Sequence, residues 1–260
     1  MSFSSENTAP HHLHSLLSRV QGSGKATQAE GWAFALEASW GSVEFAKRHA
    51  EVAHLMVATI EQLNALPERA RERTLRYVNS WWNSLVQPQL NWTDASRPAN
   101  NIIAQDMLDH LEAAADLIAG NLVGSIAAPR GVDLDGIAEQ CREWLDLLRG
   151  MEGSEISGPV RDGLVSQIEH LIWLVENVEL FGGARVASEA SRVIGSLAQA
   201  SAIMENANPE TVSRWKKGWL ALIAVCVAFN GGVAVVQESI DTGTSIVKEI
   251  TGVVQDVQGP

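Results

Sequence analysis

The 260-residue sequence contains few cysteines and few basic residues. Its two cysteines, Cys141 and Cys226, lie far apart and in no metal-like spacing. They imply no disulfide framework, so a reducing compartment is expected. The chain has 19 Lys and Arg against 31 Asp and Glu, which gives a net charge of −12. General nucleic-acid binding is therefore not expected, because contacts to phosphate need clustered positive charge.

The N-terminus lacks the features of a secretory signal, since it has neither early positive charge nor a continuous apolar core. We therefore expect a cytoplasmic protein. No metal or cofactor site is predicted either. Glu51-x-x-His54 matches one half of a di-iron pattern in helical bundles, but no second Glu-x-x-His accompanies it.

Strand-like alternation is almost absent, and helical periodicity takes its place, which predicts an all-α bundle of six to eight helices. Thr27 with Glu30 forms a capping-box pattern, and Asn208-Pro209 is typical of a helix start. The first long helix is predicted to run to Leu66 with a bend near Gly41. Its predicted buried stripe is Val43, Ala46, Ala50, Ala53, Val57 and Ile60.

Later helices are predicted from the same spacing and from Pro, Gly and Asp signals. One begins at Pro67 and ends at Pro88, another spans 101–119 and stops at Gly120, and Asp133 caps a third. The side chains predicted to face inward are Leu75, Val78, Trp82 and Leu85, then Ile103, Met107, Leu111 and Ile118, then Leu164, Ile168, Leu171, Val175 and Val178, and finally Val186, Val193, Leu197 and Met204.

Three regions are predicted along the chain. Residues 1–26 form a flexible N-terminal segment with a short helix, and residues 27–207 form the helical bundle domain. Residues 208–260 form a hydrophobic helix that continues into an amphipathic tail helix.

The hydrophobic helix has two interpretations. Residues 218–237 carry no charge, and about 20 such residues suffice to span a bilayer. Their basic and aromatic flank, typical of a cytoplasmic membrane interface, consists of Arg214, Trp215, Lys216, Lys217 and Trp219. The alternative is that residues 219–236 form a buried core helix, because Asn230-Gly231-Gly232 interrupts the run. In either case the apolar stripe of the tail favours packing or self-association.

One short motif offers an enzymatic alternative. The residues RHAEVAH, 48–54, resemble the Arg-spacer-His pattern of HEPN-type ribonucleases. This resemblance covers seven residues and implies an all-α ribonuclease, with Arg48 holding the scissile phosphate and His54 shuttling a proton. The alternative is a partly exposed helix face. No Ser-His-Asp or Cys-His arrangement can be assembled from sequence order, so we lean against an enzyme.

Positive charge is concentrated in one predicted helix, where Arg69, Arg73 and Arg76 share a face. They are candidates for binding an anion or a partner, and ion pairing with Glu68 and Glu72 is the alternative. The adjacent Trp81 and Trp82 cannot both point inward, so one of them is predicted to be a contact residue.

The leading interpretation is a membrane-associated helical sensor or effector, a cytoplasmic bundle with a C-terminal helix that anchors it to or disrupts the inner membrane. Membrane-acting effectors of bacterial defence or toxin systems share this layout. The first alternative is a soluble all-α interaction protein with residues 219–236 as a core helix. The second alternative is the HEPN-like ribonuclease. Expected partners are a membrane, and a protein or a second copy bound through the C-terminal helix.

Overall fold

The structure is a computed structural model, and it describes residues 8–87, 91–122, 134–204 and 208–230. All regular secondary structure in these residues is helical, which confirms the all-α class. There are more helices than the predicted six to eight, because turns divide several of the long ones. The helices are α1 (Ala9–Gln21), α2 (Gln28–Ala35), α3 (Val43–Asn64), α4 (Glu68–Leu75), α5 (Val78–Val86), α6 (Ala99–Ile102), α7 (Gln105–Leu122), α8 (Leu134–Gly150), α9 (Gly158–Glu176), α10 (Val178–Phe181), α11 (Gly183–Ser201) and α12 (Pro209–Asn230).

Contacts divide the chain into two compact units. Unit 1 comprises Met1–Ser125 and Glu179–Arg185, and unit 2 comprises Ile126–Val178 and Val186–Pro260. In unit 1, α1 packs against α2, α3, α6 and α7, and α3 also packs against α4 and α5. In unit 2, α8 packs against both α9 and α12.

The predicted helix starts at Thr27 and Asn208 are confirmed by their hydrogen bonds. The Thr27 hydroxyl accepts a bond from the Glu30 amide at 3.1 Å, and the Asn208 side-chain oxygen accepts one from the Thr211 amide at 2.8 Å. The bend predicted near Gly41 is a complete break. There α2 ends at Ala35, and Ser42 caps α3 by accepting a bond from the Phe45 amide at 3.0 Å.

The stripe predicted for α3 is wrong. Val43 and Val57 are exposed, as are Ala46 and Ala50. The error arose because a neighbouring stripe with the same helical spacing carries Phe45, Leu55 and Met56, whose burial removes more apolar area from water. The buried residues of α3 are Phe45, Glu51, Val52, Leu55, Met56, Thr59 and Leu63.

Glu51 is a charged member of this buried set. It accepts two bonds from the Arg185 guanidinium within unit 1, at 2.6 Å from Nε and 3.3 Å from Nη2. The exposed fractions of the two side chains are only 5% and 12%. Such a bidentate geometry compensates charges that are costly to bury.

The helix predicted at 101–119 is divided at Ile103, whose backbone is extended. Its inward residues Ile103, Met107, Leu111 and Ile118 are buried as predicted. Gly120 does not end α7, which continues to Leu122. Pro88, Asp133 and the tail beyond Asn230 lie outside the described residues.

In unit 2, most of the predicted inward residues are buried. Leu164, Ile168 and Leu171 of α9 are buried, but Leu174 takes the place predicted for Val175, and Val178 is half-buried. On α11, Met204 was predicted to be inward but is only half-buried and lies beyond the helix end. The other three predicted residues of that stripe, Val186, Val193 and Leu197, are buried.

Candidate functional site

The predicted arginine cluster lies on α4 and its C-terminal cap. Thr74 forms the inner side of this helix, where it is buried and donates its hydroxyl to the Ala70 carbonyl at 2.8 Å. At 100° per residue, the three arginines point away from Thr74. We call this exposed set the arginine face, and it consists of Arg69, Arg73 and Arg76.

The arginine face has no bound counter-charge in the described part of the chain. None of its guanidinium groups forms an ion pair or a hydrogen bond with a residue that the structure describes. Glu68 and Glu72 lie on the same helix, are exposed, and leave these arginines unpaired. In a protein of net charge −12, this face is a local concentration of free positive charge.

The two adjacent tryptophans of α5 differ in burial. Trp81 is buried and donates its indole N–H to the Met107 carbonyl at 3.2 Å, so it belongs to the core of unit 1. Trp82 is 41% exposed, contrary to its predicted inward position. It lies six residues beyond Arg76, on the helix that follows the arginine face.

Arg48 and His54 are not brought together. They are six positions apart on α3, which separates them by about 120° around the helix axis. Arg48 pairs with Glu44 at 2.6 Å and donates to the Leu36 carbonyl at 2.7 Å, so it caps the end of α2. His54 is exposed. Arg48 therefore stabilises the α2–α3 connection through these contacts.

The sequence reasoning missed an aromatic cluster at that connection. The Trp40 ring stacks on Trp92 with centroids 5.3 Å apart and meets Phe45 edge-on at 4.9 Å. Phe34, Trp40 and Val43 are 49%, 45% and 75% exposed. A signal for Trp40 was present in the sequence, because it directly precedes Gly41 in a helix break, and aromatic residues on loops are typical contact residues.

His49 lies inside this cluster. Its ring meets Trp32 edge-on at 5.1 Å and Trp92 at 5.4 Å, and its Nε2 lies 3.0 Å from the Leu85 carbonyl oxygen. Burial lowers the pKa of His49 despite that hydrogen bond. The neutral imidazole therefore acts as part of the aromatic packing that supports Trp92.

The residues predicted for a membrane interface occupy two sides of α12. Trp215 and Trp219 are buried in unit 2, where Trp215 meets Trp144 edge-on at 4.8 Å and Trp219 donates to the Ile194 carbonyl at 3.3 Å. Arg214 and Lys217 are exposed, and Lys216 is half-buried. The buried side of α12 continues through Leu222, Ile223 and Cys226.

A groove of about 400 Å³ runs between α8 and α12 in unit 2. Glu143 and Asp146 line it from α8, and Arg214 and Lys217 line it from α12. Mixed charge of this kind does not single out one class of ligand.

The described residues support neither a reactive thiol nor a metal site. Burial raises the pKa of Cys141 and of Cys226 to about 12, so both thiols are protonated and unreactive. Among the described residues no three His, Cys, Asp or Glu side chains are grouped to hold a metal ion. No described helix has both the length and the apolar composition that crossing a bilayer requires.

In comparisons with known proteins, no protein family, no curated protein and no solved structure matches this chain.

Proposed function

We propose that the chain is an all-α interaction protein that binds an acidic segment of a partner protein through the arginine face. The observation that carries this proposal is that Arg69, Arg73 and Arg76 are exposed and unpaired within the described residues. Free guanidinium groups bind carboxylates in a bidentate manner, and such pairs fix register and partner choice. The buried side of α12 supports the interpretation as an interaction protein, because its apolar side chains belong to the core of unit 2.

A protein partner fits this face better than a nucleic acid. A net charge of −12 repels a polyphosphate chain, and three arginines on one short helix offer few phosphate contacts. Trp82, exposed on the following helix, adds an apolar contact of the kind enriched in protein interfaces.

The test uses fluorescence anisotropy of a labelled peptide rich in Asp and Glu with interspersed Leu. We expect the full chain to bind it in a salt-sensitive manner, and the same peptide with Gln at every acidic position to bind far less. Arg73→Glu should weaken binding by about fivefold to tenfold, because an attraction becomes a repulsion.

Arg142→Glu is the matched control, since Arg142 is an exposed helical arginine of unit 2. This variant should bind as the unmodified chain does. Absence of peptide binding, or equal losses in both variants, contradicts the arginine face as the binding surface.

A second candidate function is attachment to an anionic membrane through the outer side of α12. Arg214 and Lys217 are exposed there, Leu220 follows at 60% exposed, and residues 227–236 of the sequence carry no charge. Two bases followed by an exposed leucine on one helix face suit a headgroup and acyl-chain boundary. This candidate retains the sensor or effector role at the inner membrane, with defence and toxin systems as one context.

Vesicle flotation tests this second candidate. The full chain should float with vesicles containing phosphatidylserine and not with neutral ones, and Leu220→Asp should abolish flotation without changing the melting temperature. Ile203→Asp is the control, because Ile203 is 57% exposed outside α12. Flotation that Leu220→Asp leaves unchanged rejects attachment through this face.

A further inference from the structure

Three large apolar side chains project into solvent around the α2–α3 connection of unit 1. Phe34 lies near the end of α2, Trp40 lies in the connection, and Val43 opens α3. We call them the aromatic patch. Scattered single apolar residues are normal on a surface, whereas three large exposed ones within ten residues of chain are a local concentration of the kind found at interaction sites.

Two arginines from neighbouring helices contact the chain around the patch. Arg48 fixes the end of α2 through the Leu36 carbonyl, and Arg19 pairs with Glu37 at 2.7 Å. Glu37 has φ +53°, a left-handed conformation that is costly for a residue with a side chain. Its strained backbone is kept by these two arginines, which pre-organises the surface and lowers the entropic cost of binding.

The charges around the patch suit a second copy of this chain. Between residues 19 and 48 there are four bases and three acids, a net charge of +1 in a protein of net charge −12. Two copies that meet here therefore escape most of the repulsion between their acidic surfaces. Lys25 lies 5.6 Å from the centre of the Phe34 ring, and exposed Glu30 is one turn before Phe34, so both signs of charge flank the patch. A two-fold dimer brings the same face of both copies together, so the bases of one copy have acids of the other within the same interface to pair with.

We propose that the aromatic patch is the contact surface of a symmetric homodimer, with Trp40 and Val43 of each copy at its centre. A few aromatic anchors carry most of the energy of such an interface, and charged rims set its orientation. This surface is independent of the arginine face, so either can fail without the other.

Sedimentation equilibrium on the full chain up to about 100 µM tests the dimer. We expect a dimer for the unmodified chain and at least a tenfold weaker association for Val43→Asp. An Asp at the first residue of α3 is favoured by the helix dipole, so this substitution leaves the fold intact.

Val57→Asp is the control, because Val57 is exposed on the same helix but away from the patch. It should dimerise as the unmodified chain does. A monomer at every concentration, a dimer that Val43→Asp does not weaken, or equal weakening by Val57→Asp overturns the proposal.

Discussion

Gly182 illustrates how a single backbone position can depend on a residue distant in the sequence. Its φ of +81° lies in the left-handed region, and a Cβ built there would lie 2.5 Å from the imidazole of His12. Burial and the neighbouring His11 lower the pKa of His12, which keeps its ring neutral against this glycine. Gly182 is therefore a packing position within unit 1 as well as the residue that follows α10.

We expect Gly182→Ala to lower the free energy of unfolding by about 3 kcal/mol, the sum of a left-handed backbone cost and a steric overlap. Gly24→Ala separates the two causes. Gly24 has φ +65° but nothing within 4 Å of its Cβ position, so this variant should lose only about 1 kcal/mol. Urea unfolding of both variants measures the difference, and equal losses would show that His12 does not resist the added methyl group.

At the level of helices, local signals predicted some features and missed others. The caps at Thr27 and Asn208 were predictable because a side chain three residues from its amide partner decides them. The arginine face was predictable for a similar reason, since helical spacing alone puts Arg69, Arg73 and Arg76 on one side. Its lack of ion pairs was not predictable, because side-chain conformation decides whether Glu68 and Glu72 reach it.

The buried stripe of α3 was not predictable from spacing, since two neighbouring stripes of α3 both fit helical periodicity. The choice between them depends on partners in other helices, such as Arg185 for Glu51 and the Leu85 carbonyl for His49. The same limit applies to α5, where the Met107 carbonyl on α7 fixes Trp81 as the buried member of the pair. Contacts between residues distant in sequence decide which face of a helix is buried, and helical periodicity does not predict those contacts.

For α12 the sequence left two interpretations open because composition does not distinguish a span from a core helix. Contacts with α8 and the hydrogen bond to Ile194 give its buried side, from Trp215 to Cys226, a place in unit 2. The exposed Leu220 and Arg214 lie on the other side of the same helix. The membrane candidate therefore concerns only the outer side of α12, and the inner side contributes to the stability of unit 2.

At the scale of the whole chain, one truncation measures how much of the fold depends on α12. A chain ending at Asn208 loses this helix and uncovers Trp144 on α8. Each large side chain thereby exposed costs about 1.5–3 kcal/mol, and several together approach the total stability of a domain. We expect this truncation to aggregate, whereas the full chain should stay folded under the same conditions. Size-exclusion chromatography and circular dichroism compare the two chains. A folded, monodisperse chain ending at Asn208 would remove α12 from the core of unit 2, and the membrane candidate would then become the better account of its apolar sequence.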